Sequence, residues 1–150
     1  MRRVRKFIQL SASRKLLLFK ATLFLACVRV GLSLLAFGTL RRLLSHLAHF
    51  GDKKQIPPKT EIDDIVWGLG AAGHAFPMIG TCLSQALAGH AWLGSKGYST
   101  DLRIGVNHES GGKFSAHAWL QRGDAVVMGY IGREHERYTA FPGMRGLEPF

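Results

Sequence analysis

Acid is what the first part of this chain lacks. Residues 1–60 hold 13 lysines and arginines against the single acid Asp52, whereas residues 61–150 hold 7 basic and 9 acidic residues. The net charge of +10 therefore comes from the N-terminal segment, which by charge suits anionic lipid, nucleic acid or an acidic protein. Cysteine is equally scarce. Cys27 and Cys82 are the two in the chain, no CxxC pair occurs, and no secretory signal precedes a cleavage site. A disulfide framework is not expected on those grounds, and the cytoplasm is the expected compartment. An uninterrupted apolar run is missing too. Leu16 to Leu40 is long enough to span a bilayer, but Lys20 and Arg29 fall on opposite sides of a helix and leave no wholly uncharged face. The expectation is a helix buried against the protein, or one lying on a membrane or partner. Metal and phosphate motifs are absent: His46 and His49 have no acid or Cys beside them, and Gly68-Leu69-Gly70 lacks a following Lys-Ser/Thr.

What is present is a helical half followed by an alternating half. Hydrophobic content of 47% with 20% charged residues is that of an ordered globular chain. Ser13 caps an expected helix from Arg14 to about Phe37, and a second runs from Arg41 to Phe50. Within the first, Cys27 lies in the run Leu23 to Val28 and reads as a small buried hydrophobe. Asp52 to Lys59, with Pro57 and Pro58, is a polar linker that divides a basic helical region, 1–55, from a core, 56–150. Thr60 or Asp63 caps a third helix that Pro77 ends, and Thr81 caps a fourth from Cys82 to about Ser95, stopped by Gly97. Leu102, Ile104 and Val106 then alternate with Arg103 and Gly105. Phe114, Ala116, Ala118 and Leu120 alternate with Ser115, His117, Trp119 and Gln121. Gly123-Asp124 marks a hairpin, with Ala125 to Met128 as the return strand. Helices followed by an antiparallel meander make an α+β plan.

The chemistry-bearing residues are Cys82 and His117. A thiol attacks as thiolate, and the first turn of a helix favours negative charge through its unpaired N–H groups and dipole. The same N–H groups suit an oxyanion. His90 lies eight residues along the same helix, about 12 Å up its axis, out of reach. His74 precedes Pro77 and needs a loop to swing it near. His117 comes from a strand 35 residues after the Cys, on the face opposite Phe114, which is expected to lie against the start of the cysteine helix. Trp119 shares that face, as a wall of the site in contact with substrate or as core packing.

From Ile62 onward the chain resembles the stand-alone leader peptidases of lasso-peptide biosynthesis, cysteine proteases of transglutaminase-like fold. The resemblance rests on Pro77, then Cys82-Leu83 with Gln85-Ala86-Leu87-Ala88, then Lys96-Gly97, Leu102 to Val106, and Phe114 to Leu120. It implies a cysteine-bearing helix packed on an antiparallel sheet, and a peptidase in which Cys82 is nucleophile and His117 base. It also implies a precursor peptide as substrate, a leader-recognition protein and an ATP-dependent cyclase as partners, and no cofactor. The family places a carboxylate about twelve residues after the His, where this chain has Gly129, or Tyr130 on a strict hairpin count. Asp124 sits at the turn tip; Glu134, a residue from elsewhere or a backbone carbonyl is left to orient His117. The alternative reading is an impaired scaffold that holds a membrane or partner through its basic helices. Nucleic-acid binding has charge alone in its favour.

Overall fold

A computed structural model describes residues 11–49, 57–108, 114–129 and 138–140. Among the described residues four helices come first: α1 (Ala12–Leu34), α2 (Phe37–His49), α3 (Lys59–Ala75) and α4 (Cys82–Ser95). Four strands follow: β1 (Asp101–His108), β2 (Phe114–Arg122), β3 (Ala125–Met128) and β4 (Thr139–Ala140), in the sheet order β3-β2-β1-β4 and antiparallel throughout. The α+β plan of helices followed by a sheet is as expected.

The helix boundaries differ in detail. Ser11, not Ser13, caps α1, its hydroxyl accepting from the Arg14 N–H, and the helix ends at Leu34. α2 begins at Phe37, because the carbonyl of Ala36 already accepts from the N–H groups of Thr39 and Leu40. α3 starts directly behind Pro58, with neither Thr60 nor Asp63 as its cap. Proline needs no N–H at a helix start, so it serves there. The linker expected at Asp52 to Lys59 falls mostly outside the described residues, as does the polar tail.

α4 is the centre of the molecule. Ala86, Leu87, Ala88, Gly89, Ala91 and Leu93 are all buried, so the helix is covered on nearly every side. Its neighbours are α1 through Ala21, Leu25 and Val28, α2 through Leu40 and Leu44, α3 through Ile65 and Leu69, and the sheet through Leu102, Ala118, Leu120 and Met128, all in one apolar cluster. Residues before and after position 56 thus share this core. Two glycines let the neighbours approach closely. A Cβ on Gly94 would stand 2.5 Å from Ala48 Cβ, and one on Gly89 would stand 2.8 Å from Leu120 Cδ1 and 2.9 Å from Met128 Sδ. Lys96 at the end of α4 pairs with Glu61 in the first turn of α3 at 2.8 Å.

The hairpin between β2 and β3 turns on Gly123, whose φ of +58° at the first central position, with no positive φ at Asp124, is the type II′ pattern. Arg122 pairs with Ala125 and Gln121 with Val126, but Leu120 pairs with Met128: a bulge shifts the register by one. The strict two-residue count therefore fails beyond Gln121.

Cys27 is a correction. It is exposed, on the side of α1 turned from the core, and both cysteines are free. The apolar run around it misleads because α1 is apolar on both sides. By length and composition α1 is one helix long and apolar enough to cross a membrane, yet one of its faces is built into the protein core.

Two outcomes follow from the packing of α4. Gly89→Val forces a branched side chain against Leu120 and Met128 and is expected to cost about 1–3 kcal/mol in urea unfolding. His90 bonds Thr100 Oγ1 through Nδ1 at 3.2 Å, and burial pushes its pKa below the ordinary imidazole value. The folded state thus prefers the neutral ring. Its contribution is complete above the unfolded pKa of about 6.5 and is lost as pH falls through the lower folded value. Unfolding midpoints measured between about pH 7.5 and about pH 5 should fall less steeply in His90→Gln than in the wild type.

Candidate active site

Cys82 is the first residue of α4. Thr81 caps the helix, its hydroxyl accepting from the Ser84 N–H. Ser84, fully buried, ties the preceding turn down by donating to the carbonyl of Ile79 at 2.5 Å, and Gln85 Nε2 donates to the carbonyl of Gly80 at 2.7 Å. Behind that turn the backbones of Gly80 and Gly73 touch: a Cβ on Gly80 would stand 2.2 Å from Gly73 Cα. No side chain fits there, so the segment entering the cysteine helix is clamped against α3. Cys82 itself is half-buried and packs on the edge of the apolar core. The helix start thus presents the thiol from a rigid support, with first-turn N–H groups beside it.

His117 lies on β2, opposite Gly105 of β1. Its Nε2 stands 2.7 Å from the carbonyl oxygen of Gly129. A carbonyl only accepts, so Nε2 carries the proton, which makes Nδ1 the acceptor nitrogen of the neutral ring. The ring of Trp119 stacks near it at 6.0 Å and 16°, and that of Tyr138 lies tilted at 5.5 Å. Tyr138 in turn shares a hydrogen bond with Ser115 Oγ at 3.0 Å. Trp119 is 4% exposed and its six-membered ring lies over Gly105, where a Cβ would stand 2.9 Å from Cη2 and Cζ3. Arg103, paired across from Trp119, buries its Nε without a hydrogen-bond partner.

Gly129 is the position where a carboxylate was expected, and its backbone explains how a glycine serves. Its φ is +87°, a left-handed conformation, and a Cβ there would stand 3.0 Å from Trp119 Cβ and 3.1 Å from the carbonyl oxygen of Ala118. That turn out of the strand aims the carbonyl at the imidazole. Tyr130 and Glu134, the other candidates for orienting His117, lie outside the described residues.

Two anchors relate thiol and imidazole. Gly89 meets Leu120, and the Arg122 guanidinium lies 4.3 Å over the ring of Tyr98, just past the end of α4. α4 and β2 therefore run in the same direction, and the helix start faces the end of β2 that holds His117. Seven helix residues back from Gly89, and three strand residues back from Leu120, are each about 10 Å, so Cys82 stands level with His117. The face is a correction. Ala118 and Leu120 pack on α4, and alternation turns Ser115, His117 and Trp119 to the other side of the sheet, with Gly105 and Tyr138. The expectation that the histidine face lies against the cysteine helix does not hold along the body of the helix. Ala116, next to His117 on that strand, is exposed.

Sequence reasoning missed Tyr138, which falls in a polar tail without pattern, and the Gly73–Gly80 clamp, whose partners are single glycines in unrelated segments. A capped helix start bearing a cysteine, packed on an antiparallel sheet that carries a histidine two residues before a tryptophan, places the chemistry-bearing residues of this α+β fold. Residues 24–142 match the transglutaminase-like superfamily, and the chain belongs to it. No curated protein and no solved structure matches the chain.

Gly129→Ala places a Cβ in a left-handed conformation against Trp119 and is expected to cost about 1–2 kcal/mol of stability. Gly70→Ala, inside α3 with open space around it, should instead leave stability unchanged or raise it by up to about 1 kcal/mol. Thermal or urea unfolding of the two variants side by side checks both.

Proposed function

We propose that the chain is a cysteine peptidase that removes the leader from a ribosomally made lasso-peptide precursor, with Cys82 as nucleophile and His117 as base and acid. The observation that carries the reading is the Gly129 carbonyl on His117 Nε2, in a chain of the transglutaminase-like superfamily with a capped cysteine at a helix start. It supplies the orientation for which the family uses a carboxylate, and it keeps the ring proton on Nε2. In this reading the thiolate attacks the carbonyl carbon at the leader–core junction and a C–S bond forms. The imidazolium gives its proton to the departing amine as the C–N bond breaks. Water then attacks the thioester while Nδ1 takes its proton, and the acid leaves as the thiol is restored. Trp119, buried beside the imidazole, acts as a wall that holds the ring and keeps water from it. Residues 56–150 carry the chemistry, and residues 1–55 face partners. A separate leader-recognition protein and an ATP-dependent cyclase are the proposed partners, in the cytoplasm.

A second reading is favoured by one observation, the placement of His117 on the sheet face turned from α4, combined with a glycine, Gly129, at the position where the family places a carboxylate. It makes the chain a scaffold of the same fold without catalysis, binding through its basic helices.

Alkylation separates the two. In a Cys27→Ser background, which removes the exposed second thiol, Cys82 should react with iodoacetamide at about pH 6 several times faster than in the same chain carrying His117→Ala. Equal rates would favour the scaffold. On the cognate precursor, Cys82→Ala and His117→Ala should each reduce leader cleavage by at least about a thousandfold without loss of folding, measured by mass spectrometry of the products. Cleavage persisting in Cys82→Ala ends the peptidase reading.

A further inference from the structure

The outward side of α1 carries no explanation within the fold. Leu16, Phe19, Leu23, Val30 and Leu34 are between 54 and 78% exposed, and they recur at helical spacing along one side together with exposed Cys27. The opposite side of the same helix, through Ala21, Leu25 and Val28, is fully packed. A soluble helix that packs one side on a core ordinarily turns polar residues outward. This one turns a stripe from Leu16 to Leu34, about 27 Å long, whose single charge is Lys20. The stripe opens into a groove of about 580 Å³ between α1, α2 and α4, lined by Leu23, Phe24, Cys27, Leu47 and Trp92, with Lys20 at its rim.

Charge says what kind of surface covers it. No acid occurs before Asp52; Arg2, Arg3, Arg5 and Lys6 precede α1 in the sequence, and Lys15 and Lys20 lie in its first turns. Nucleic acid suits those cations but not the aliphatic stripe between Leu16 and Leu34. An apolar helix face beside a polybasic segment supplies the two signals that together hold a protein on an anionic bilayer, acyl burial and headgroup attraction. Lys20 fits such a surface, since its alkyl stem lies along the apolar groups while the ammonium reaches the headgroups. A transbilayer orientation is excluded for this folded state by the other face of α1, which is part of the core with Leu69 and Leu87.

We propose that α1 docks the folded chain on the surface of an anionic membrane, its Leu16–Leu34 stripe in the acyl boundary and its basic N-terminal segment on the headgroups. The inference stands apart from the chemistry at Cys82, and its test reads binding alone. The full chain is floated with vesicles of phosphatidylcholine and with vesicles of an equimolar mixture of phosphatidylcholine and phosphatidylglycerol. It should rise with the mixed vesicles and bind the neutral ones at least about tenfold more weakly, with salt weakening the binding. Leu23→Glu with Val30→Glu changes exposed positions only, leaves circular dichroism and melting as in the wild type, and should lower binding by about a hundredfold. Arg2, Arg3, Arg5 and Lys6 changed together to Gln keeps the stripe and should lower binding by about tenfold or more. Equal binding to both vesicles, no binding to either, or binding unchanged by the two Glu substitutions would overturn the proposal. So would a lipid-free dimer that the Glu substitutions dissociate and that vesicles do not compete for, since the stripe would then be an interface between copies of the chain.

Discussion

Between Gly89 of α4 and Leu120 of β2 there is no room for a Cβ, and Met128 closes the space from the neighbouring strand. This close approach fixes the depth at which the central helix lies on the sheet. With Arg122 over Tyr98 at the far end it also fixes the direction, so the start of the helix, and the thiol on it, come level with His117. Everything said of the site depends on that alignment. The Thr81 cap, the buried Ser84 and the touching backbones of Gly73 and Gly80 hold the helix start itself, but they would hold it in any direction.

The imidazole is held by a different device. Strand β3 ends at Met128, and Gly129 leaves it with a left-handed φ that swings the carbonyl onto His117 Nε2. A side-chain carboxylate and a backbone carbonyl both accept from the same N–H and fix the same tautomer. They differ in charge: the carbonyl steadies the ring without the full electrostatic support a carboxylate gives to an imidazolium. Substituting an acid at Gly129 does not restore the family arrangement, because a Cβ at this φ meets Trp119. The glycine at this position and its backbone conformation are therefore one feature, not two.

Much of the fold was legible because its signals are local. Thr81 before Cys82, Gly97 after Ser95 and the Gly123-Asp124 pair mark the cysteine helix and the hairpin, and the structure has them there. Period-two alternation assigned the two faces of β2 correctly. It could not say which face meets the helix, because one face offers Ala118 and Leu120 and the other offers Trp119, and both are buried. The bulge between Leu120 and Gln121 was equally invisible, since nothing in Val126-Val127-Met128 separates a bulged strand from a regular one. Cys27 was misread for a related reason: an apolar run implies burial only where something covers it, and α1 is apolar on a side that the fold leaves open. The superfamily match supports the reading of the cysteine helix and sheet as one unit, and it begins at residue 24, inside α1.

The membrane-facing stripe and the thiol lie on different parts of the helical layer, the one along the outside of α1 and the other at the start of α4, so docking and catalysis need not compete for the same surface. The proposed chemistry requires one sulfur and one imidazole to come within reach of each other. A three-carbon bifunctional alkylating agent, 1,3-dibromoacetone, measures this most directly in the folded Cys27→Ser chain. The account predicts a digest in which the peptide bearing Cys82 is joined to the peptide bearing His117. Cys82 alkylated at one end only, or joined to any other residue, would contradict it.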